Sequence, residues 1–166
     1  MSEWRVLEKA GGLTIDRVDP RGGEARGLIA ALDAALARVY PREVIFGLHE
    51  DDFDEARLVF FVARRGGVAV ACGALRSLDD ETGEVKRMFV VPEERGRGIS
   101  RLVLSRVEAE ARARGHRRLR LETGDRQAEA VGLYRTSGFA PIEPWGEYVG
   151  NDYSVCFEKE LVTTAD

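Results

Sequence analysis

The sequence predicts an α/β sandwich: a mixed, mostly antiparallel sheet of six to seven strands flanked by about four helices. Short apolar runs, typical of strands, alternate along the chain with longer segments whose apolar residues recur at helical spacing. Three of the strand-like runs follow one another directly through turns, which predicts antiparallel neighbours in the middle of the chain. Helical segments separate the later strands, and this order predicts helices packed around one mixed sheet.

The first half of the chain predicts a strand, a helix and a hairpin of two strands. Residues 13–18 alternate between apolar and polar side chains, which is typical of a half-buried strand. Residues 24–40 carry apolar side chains at helical spacing, and Pro41 ends that helix. Two strongly apolar runs, residues 57–63 and 68–75, flank a short Arg-Gly turn and predict the hairpin.

The second half predicts one more strand of this meander and then helices that alternate with strands. In order, we expect a strand (84–91), a helix (98–114), a strand (118–123), a helix (127–137), a short strand from residue 138 and a last strand (153–161). Gly115 has the position of a glycine that ends a helix. Earlier in the chain, residues 43–54 are of mixed character and predict a loop with a short helix.

The composition is that of a soluble single domain. The chain has 166 residues, of which 44% are hydrophobic and 33% charged, and its net charge is −4. No linker, repeat or low-complexity segment interrupts it, so residues 1–166 are expected to form one domain with a loose tail at 162–166. The acidic balance argues against nucleic acid as a partner. No apolar run reaches the roughly 18 residues of a membrane helix, so no membrane association is expected.

The cysteines and the first residues predict a cytoplasmic location. Cys72 and Cys156 both lie in apolar, strand-like runs, as expected of free thiols buried in a reducing compartment. The first residues are charged and lead to Gly11 and Gly12, unlike a signal peptide. No cluster of Cys, His and Asp has the spacing of metal ligands, so no metal is expected.

A strand, a loop with two glycines and a helix N-terminus follow one another between Met88 and Ser100. This arrangement presents free backbone N–H groups and the positive end of a helix dipole to an anion, and Arg95 and Arg97 add positive charge. A phosphate-bearing cofactor is therefore the expected ligand. The segment is not a P-loop, which needs Gly-Lys-Ser/Thr at its end. It is not a dinucleotide fingerprint either, because Arg101 stands where a third glycine is required.

Two motifs resemble those of the GNAT superfamily of acetyl-CoA-dependent N-acetyltransferases. Arg95-x-x-Gly98-x-Ser100 resembles the pyrophosphate loop Gln/Arg-x-x-Gly-x-Gly/Ala of that family, with Ser at its last position. Residues 127–139 are similar to a second motif, Asn-x-x-Ala-x-x-Leu-Tyr-x-x-x-Gly-Phe, with Gln at the Asn position. The resemblance covers residues 68–161 and is to a bacterial branch whose substrates are largely unassigned.

The resemblance implies the fold of that family, in which the strands ending at Val91 and Thr123 are splayed apart so that acetyl-CoA enters between them. The loop would hold the pyrophosphate. The strand before it would pair its backbone with the pantetheine arm, and one of its N–H groups would polarise the thioester carbonyl. The residues expected to bind the cofactor are Met88, Phe89, Val90, Arg95, Gly96, Arg97, Gly98, Ile99, Ser100, Thr123, Gly124, Gln127 and Tyr134.

Tyr134 and Glu84 are the predicted catalytic residues. The family position of Tyr134 places its phenol near the thioester sulfur, where a general acid is needed. Glu84 lies eleven residues before Arg95, where several members of the family carry a basic glutamate, and a carboxylate in a partly apolar cleft can accept a proton from an ammonium. The alternatives are that Tyr134 only packs in the core and that Glu84 is solvated. Glu122 on the neighbouring strand is a rival base.

These features predict an enzyme that moves the acetyl group of acetyl-CoA directly to a primary amine of a small molecule. The alternatives are a protein acetyltransferase acting on an N-terminus or a lysine, and an acetyl-CoA sensor without catalysis. Trp145, Tyr148 and Tyr153 are candidates for the wall of the acceptor pocket, and equally for core or interface packing. Because relatives often pair through their final strands, the resemblance is also compatible with a homodimer.

Overall fold

The computed structural model describes residues 12–162, and these contain seven strands and three α-helices. In chain order they are β1 (Leu13–Val18), α1 (Gly23–Ala37), β2 (Leu58–Arg65), β3 (Val68–Ser77), β4 (Thr82–Val90), α2 (Ile99–Ala113), β5 (Arg118–Gly124), α3 (Ala128–Thr136), β6 (Ala140–Ile142) and β7 (Ser154–Glu160). The predicted strands and long helices are all present, with ends that differ by at most three residues. Of the predicted loose tail, residues 163–166 lie outside the described residues, and Val162 is exposed.

All seven strands form one sheet in the order β1-β2-β3-β4-β5-β7-β6. Every neighbouring pair is antiparallel except β4 and β5, which run parallel. Helix α1 packs on one face of the sheet, and α2 and α3 pack on the other. This arrangement confirms the predicted mixed, mostly antiparallel α/β fold.

The stretch 43–54, predicted as a loop with a short helix, holds only two single-turn 3₁₀ helices in the structure (Arg42–Val44 and Glu50–Asp52). Its apolar residues Val44, Ile45 and Phe46 are consecutive, so a helix would point them in different directions. The chain instead runs mostly without regular structure, and all three residues line a cavity beside the sheet.

The core consists of two apolar clusters, one on each face of the sheet. Ala25, Leu28 and Leu32 of α1 belong to the first cluster, while Val103 and Val107 of α2 belong to the second. The helices are short, with 15 residues each in α1 and α2 and nine in α3. Within the described range, no helix is long and apolar enough to cross a membrane.

Strands β4 and β5 pair over only three residues and then part. Thr82, Gly83 and Glu84 pair with residues 118–120, and no pairing between the two strands continues beyond Glu84. Both strands run on, β4 to Val90 and β5 to Gly124. The predicted splay is therefore present, and Glu84 stands at the apex of a fork that opens toward the ends of both strands.

A β-bulge in β4 adds to this splay. Arg87 and Met88 together oppose Gly73 of β3, where the register of the pair shifts. Arg87 has a positive φ of 56°, and its carbonyl accepts a hydrogen bond from the Cys72 thiol (3.2 Å). Because a bulge bends the strand that carries it, the end of β4 turns away from β5.

Candidate active site

Two cavities meet where β4 and β5 part. The first, which we call the loop groove, is an open cleft with about 1120 Å³ of empty space, part of it open to solvent, and it runs along the end of β4 to the glycine loop. Its lining from strand and loop consists of Met88, Phe89, Val90, Glu94, Arg95, Gly96, Gly98, Ile99 and Ser100. The second, which we call the fork cavity, lies between the two strands and has about 800 Å³ of empty space, part of it open to solvent. Its polar lining from β4 and β5 consists of Glu84, Lys86, Arg87, Glu122 and Thr123.

The start of α2 presents backbone N–H groups to the loop groove. Gly98 precedes the helix in the left-handed conformation (φ +80°), and no side chain caps the helix. The N–H groups of a first helical turn have no partner within the helix, and they carry the positive end of its dipole. No acidic residue lies in this first turn to compete for them. The groove therefore fits a phosphate or pyrophosphate group.

The two arginines predicted to hold that group lie in different places. Arg95 lines the groove, and its Nε donates to the carbonyl of Val90 (3.0 Å). Arg97 is not part of the lining, and its exposed guanidinium pairs with Glu94 (3.4 Å). Glu94 also accepts a hydrogen bond from Arg65 (3.0 Å), so its negative charge at the groove is neutralised. Of the two arginines, Arg95 is the one placed to meet an anion in the groove.

Replacing Gly98 by Ala should weaken the binding of CoA by about tenfold. A residue with a Cβ costs roughly 1–2 kcal/mol in the left-handed conformation, so the loop would shift to relieve the strain and displace its N–H groups. Calorimetric titration with CoA measures the effect. Gly27→Ala is the matched control, since Gly27 lies in α1 with open space around it. An unchanged CoA affinity in Gly98→Ala would contradict the assignment of the groove.

Tyr134 lies where the two cavities meet, and it lines both. The residue is only 5% exposed, and its ring packs edge-on against Phe139 with the centroids 5.8 Å apart. Its hydroxyl has no hydrogen-bond partner among residues 12–162. Burial raises the pKa of the Tyr134 phenol, and the nearby charge of Glu122 raises it further. The phenol is thus kept protonated at a point that both cavities reach.

Glu122 faces the fork cavity from β5. Its Oε2 accepts a hydrogen bond from the Ser154 hydroxyl (2.5 Å), and Ser154 in turn accepts one from the amide of Asn151 (2.7 Å). Burial raises the pKa of the Glu122 carboxyl, although the Ser154 hydrogen bond opposes the rise. A carboxyl with a raised pKa in a cavity is suited to accepting a proton at physiological pH.

Glu84, the predicted base, is buried rather than solvated, with 1% of its side chain exposed. Arg76 donates two hydrogen bonds to its Oε1, from Nη2 (2.6 Å) and Nε (3.0 Å). The hydroxyl of Tyr148 donates to its Oε2. Arg76 also pairs with Asp52 (2.9 Å). Both oxygens of Glu84 therefore accept hydrogen bonds. Protonation of this carboxylate would remove its negative charge and break its buried ion pair with Arg76.

Aromatic side chains form the wall of the fork cavity. Tyr40 and Phe46 come from the segment after α1, and Tyr148 and Tyr153 come from the segment before β7. Edge-to-face contacts join Tyr40 to Tyr153 (5.8 Å between centroids) and Phe46 to Tyr148 (5.0 Å). Trp145 lies behind Tyr148, at 4.9 Å between centroids, and does not line the cavity.

The structure gives Gly124 a packing role that the sequence does not show. A Cβ at this position would collide with the ring and hydroxyl of Tyr40. The Tyr40 hydroxyl also accepts a hydrogen bond from the backbone N–H of Arg126 (2.8 Å). Glycine at position 124 thus lets Tyr40 pack on the end of β5 and close that side of the fork cavity.

Most of the predicted site residues come together at these two cavities. Thr123 and Gly124 line the fork cavity, and Gln127 lines both cavities, as Tyr134 does. Gln127 precedes α3 and makes no side-chain cap to that helix, which leaves its amide at the junction. Arg97 is the one predicted site residue that lines neither cavity.

Lys86 and Tyr40 were not predicted from the sequence as site residues. Lys86 follows Glu84 by two residues, and strand alternation places both side chains on one face of β4. This spacing is the feature of the sequence from which Lys86 could have been predicted as a site residue. No local pattern shows that Tyr40 reaches Gly124, because the contact joins distant parts of the chain. In the described part of the chain, no group of three or more His, Cys, Asp or Glu residues is arranged to hold a metal ion.

Comparison with known proteins connects this site to an enzyme family. A family model described as the acetyltransferase (GNAT) family matches residues 28–139. An IAA acetyltransferase of Azospirillum brasilense is 44% identical over 151 residues, which are 90% of this chain and 98% of that protein. A solved structure from Klebsiella pneumoniae, described as an acyl-CoA N-acyltransferase, shares 32% identity over 90% of this chain and 98% of its own, with a TM-score of 0.79. A GNAT acetyltransferase from Elizabethkingia anophelis with acetyl-CoA bound shares the fold at a TM-score of 0.70 and 18% identity, over 91% of this chain and 99% of its own.

Proposed function

The chain belongs to the acetyltransferase (GNAT) family, and on that premise we propose that it moves the acetyl group of acetyl-CoA to a primary amine of a small molecule. The observation that carries this proposal is the position of Tyr134 and its hydroxyl group. Its protonated phenol, without a hydrogen-bond partner in the described chain, lies where the loop groove meets the fork cavity. A proton donor at the meeting point of a donor groove and an acceptor cavity is what acetyl transfer from a thioester needs.

The loop groove supports acetyl-CoA as the donor. It offers the unpaired N–H groups at the start of α2, the left-handed Gly98 and the side chain of Arg95 to a pyrophosphate. The backbone of Val90 faces the gap between the strands, because the N–H of Val91 bonds to Val70 on the opposite side. When bound, acetyl-CoA supplies an acetyl group activated as a thioester. The protein positions the reactants, donates backbone N–H groups to them and transfers the protons.

Glu122 is the base that we propose, in preference to Glu84. The Glu122 carboxyl faces the fork cavity with one hydrogen bond from Ser154, and its raised pKa suits it to take the proton that an unprotonated amine loses on acetylation. Glu84 is held by Arg76 and Tyr148 at the apex of the fork, where it fixes the parting of the strands. We assign it a positioning role.

The transfer is proposed to be direct, from donor to amine. The amine nitrogen bonds to the acetyl carbon as the carbon–sulfur bond breaks, Glu122 takes the proton that the amine loses, and Tyr134 gives its proton to the sulfur. Neither Cys72 nor Cys156 lines the two cavities. Burial raises the pKa of the Cys72 thiol to about 12 and that of Cys156 to about 11, so neither is suited to carry the acetyl group.

A small-molecule acceptor is supported by the shape of the fork cavity. Aromatic residues from two separate segments, Tyr40 and Phe46 on one side and Tyr148 and Tyr153 on the other, surround it. A protein acetyltransferase needs a groove that admits an extended chain. The name of the Azospirillum relative, an IAA acetyltransferase, also points to a small acceptor for that protein.

The test is thiol release from acetyl-CoA with a panel of amino acids, polyamines, aminoglycosides and short peptides, beside calorimetric titration of CoA. Because both cysteines are buried, a thiol reagent should report released CoA and not the folded protein. Turnover of a small amine supports the proposal. Turnover of peptides alone would instead identify a protein acetyltransferase, and CoA binding without any turnover would favour a sensor. Absence of CoA binding would overturn the assignment of the groove.

A further inference from the structure

Lys86 places a buried positive charge in the wall of the fork cavity. Only 4% of its side chain is exposed, and the residue lines the cavity. Its Nζ donates one hydrogen bond, to the hydroxyl of Tyr148 (3.2 Å). The nearest carboxylate oxygen that pairs with it in the described chain belongs to Glu147, at 3.9 Å. An ammonium group has three donors, so this environment leaves Lys86 only partly satisfied.

The other charged groups of the fork cavity have closer partners within the protein than Lys86 has. Glu84 pairs with Arg76 at 2.6 Å, and Arg87 pairs with Asp33 at 2.6 Å. Glu122 accepts a hydrogen bond from Ser154 (2.5 Å) and forms no ion pair with Lys86 in the described part of the chain. Among the described charges of this cavity, Lys86 therefore has the weakest pairing, since its nearest paired carboxylate oxygen lies 3.9 Å away, and an incompletely paired buried charge is costly. Burial accordingly lowers the pKa of the Lys86 ammonium.

Strand register places Lys86 and Glu122 on opposite walls of the fork. Glu84 of β4 pairs with Arg120 of β5, and Lys86 and Glu122 each follow that pair by two residues on their own strands. Because alternate residues of a strand share a face, both side chains point to the same side of the sheet. A ligand between the strands would meet a carboxyl on one wall and an ammonium on the other.

We infer that the acceptor is an amine that also carries a carboxylate, and that Lys86 binds this carboxylate while Glu122 receives the proton of the amine. The inference rests on the proposed function and adds the substrate class. The carboxylate would give Lys86 a closer counter-ion than Glu147 at 3.9 Å, and the Tyr148 hydroxyl would hold the ammonium in place. The aromatic wall formed by Tyr40, Phe46 and Tyr153 would contact the part of the acceptor between its two charged ends.

The test compares ω-amino acids, from glycine to 6-aminohexanoate, with alkylamines of the same chain length, at equal concentrations of unprotonated amine. Wild-type protein should prefer the carboxylate-bearing member of at least one pair by about tenfold or more in kcat/KM, as expected for a hydrogen bond to a charged group. Lys86→Met should abolish that preference while alkylamines are still acetylated. Lys159→Met is the control, since Lys159 pairs with Glu108 away from the cavity, and it should keep the preference.

A binding measurement separates this inference from the proposed function. Hexanoate and hexanamide have no amine and cannot be acetylated, so calorimetric titration with each reports the carboxylate site alone. We expect hexanoate to bind wild-type protein at least about tenfold more tightly than hexanamide, and Lys86→Met to lose the difference. If Lys86→Met does not fold, the comparison of hexanoate with hexanamide on wild-type protein still tests the inference. Equal binding of acid and amide, or a carboxylate preference that survives Lys86→Met, would overturn the inference, whereas absence of all turnover would count against the proposed function.

Discussion

Replacing Tyr134 by Phe is expected to lower kcat by about 10²- to 10⁴-fold, the usual effect of losing a general acid. The change removes only the hydroxyl, which has no hydrogen-bond partner among residues 12–162. The ring would keep its packing against Phe139 and Phe157, so the fold should be unaffected. The measurement is steady-state kinetics with an accepted amine, together with calorimetry to show that CoA still binds.

Tyr153→Phe is the matched control for this experiment. Tyr153 also lines the fork cavity and packs edge-on against Tyr40, but it does not line the loop groove, where the sulfur would lie. We expect it to retain kcat within about threefold of wild type. A Tyr134→Phe protein as active as this control would remove Tyr134 from the mechanism.

Replacing Glu122 by Gln is the second change with a large expected effect, a loss of about 10²- to 10³-fold in kcat/KM. In wild-type protein the carboxylate form must be present to take a proton, so kcat/KM should rise with pH through the Glu122 pKa, which burial raises above its ordinary value. In the Glu122→Gln variant, kcat/KM should not show this rise with pH. A pH–rate profile of both proteins, with kcat/KM calculated on the concentration of unprotonated amine, measures the effect, and an acidic limb that persists in Glu122→Gln would assign the base to another group.

Stability distinguishes Glu122 from Glu84. A raised pKa means that the folded state favours the protonated carboxyl, so its stabilising contribution is present at low pH and is lost as pH rises through the folded pKa. Glu122→Gln should therefore not lower the Tm at neutral pH.

Glu84→Gln breaks the buried pair with Arg76, and such breaks cost about 3–5 kcal/mol. The Glu84→Gln variant should therefore have a lower Tm than wild-type protein. A Glu84→Gln protein that is as stable as wild type but inactive would instead indicate that Glu84 is the general base.

Much of the fold was predictable because its elements carry local signals. The apolar run of β2, the helical spacing in α2 and the glycine after that helix each specify local structure without knowledge of the rest. The segment 43–54 was not predictable in this way, because its apolar side chains face a cavity formed by distant strands. The single-domain organisation, the cytoplasmic location and the homodimer stay predictions.

The site was predictable where the motifs are contiguous and not where it depends on pairing across the sheet. Most of the glycine loop, Gln127 and Tyr134 line the cavities, while their roles in binding and catalysis stay predictions. The environment of Glu84 was not foreseeable, because Arg76 comes from β3 and Tyr148 from the segment before β7. Sequence alone shows a glutamate at the right spacing, but whether it is free to accept a proton depends on these two contacts.

The three-residue pairing between β4 and β5 also implies an order of events while the chain is synthesised. Strands β1 to β4 are consecutive antiparallel neighbours, so they can pair as soon as they leave the ribosome, since N-terminal parts generally fold first. The parallel pairing must wait for β5, and Tyr148 and Ser154 arrive later still. We expect a nascent chain that ends before Tyr148 to hold the sheet from β1 to β5, with a Glu84 that lacks its hydroxyl partner. Enzymatic competence would then be the last property that the growing chain acquires.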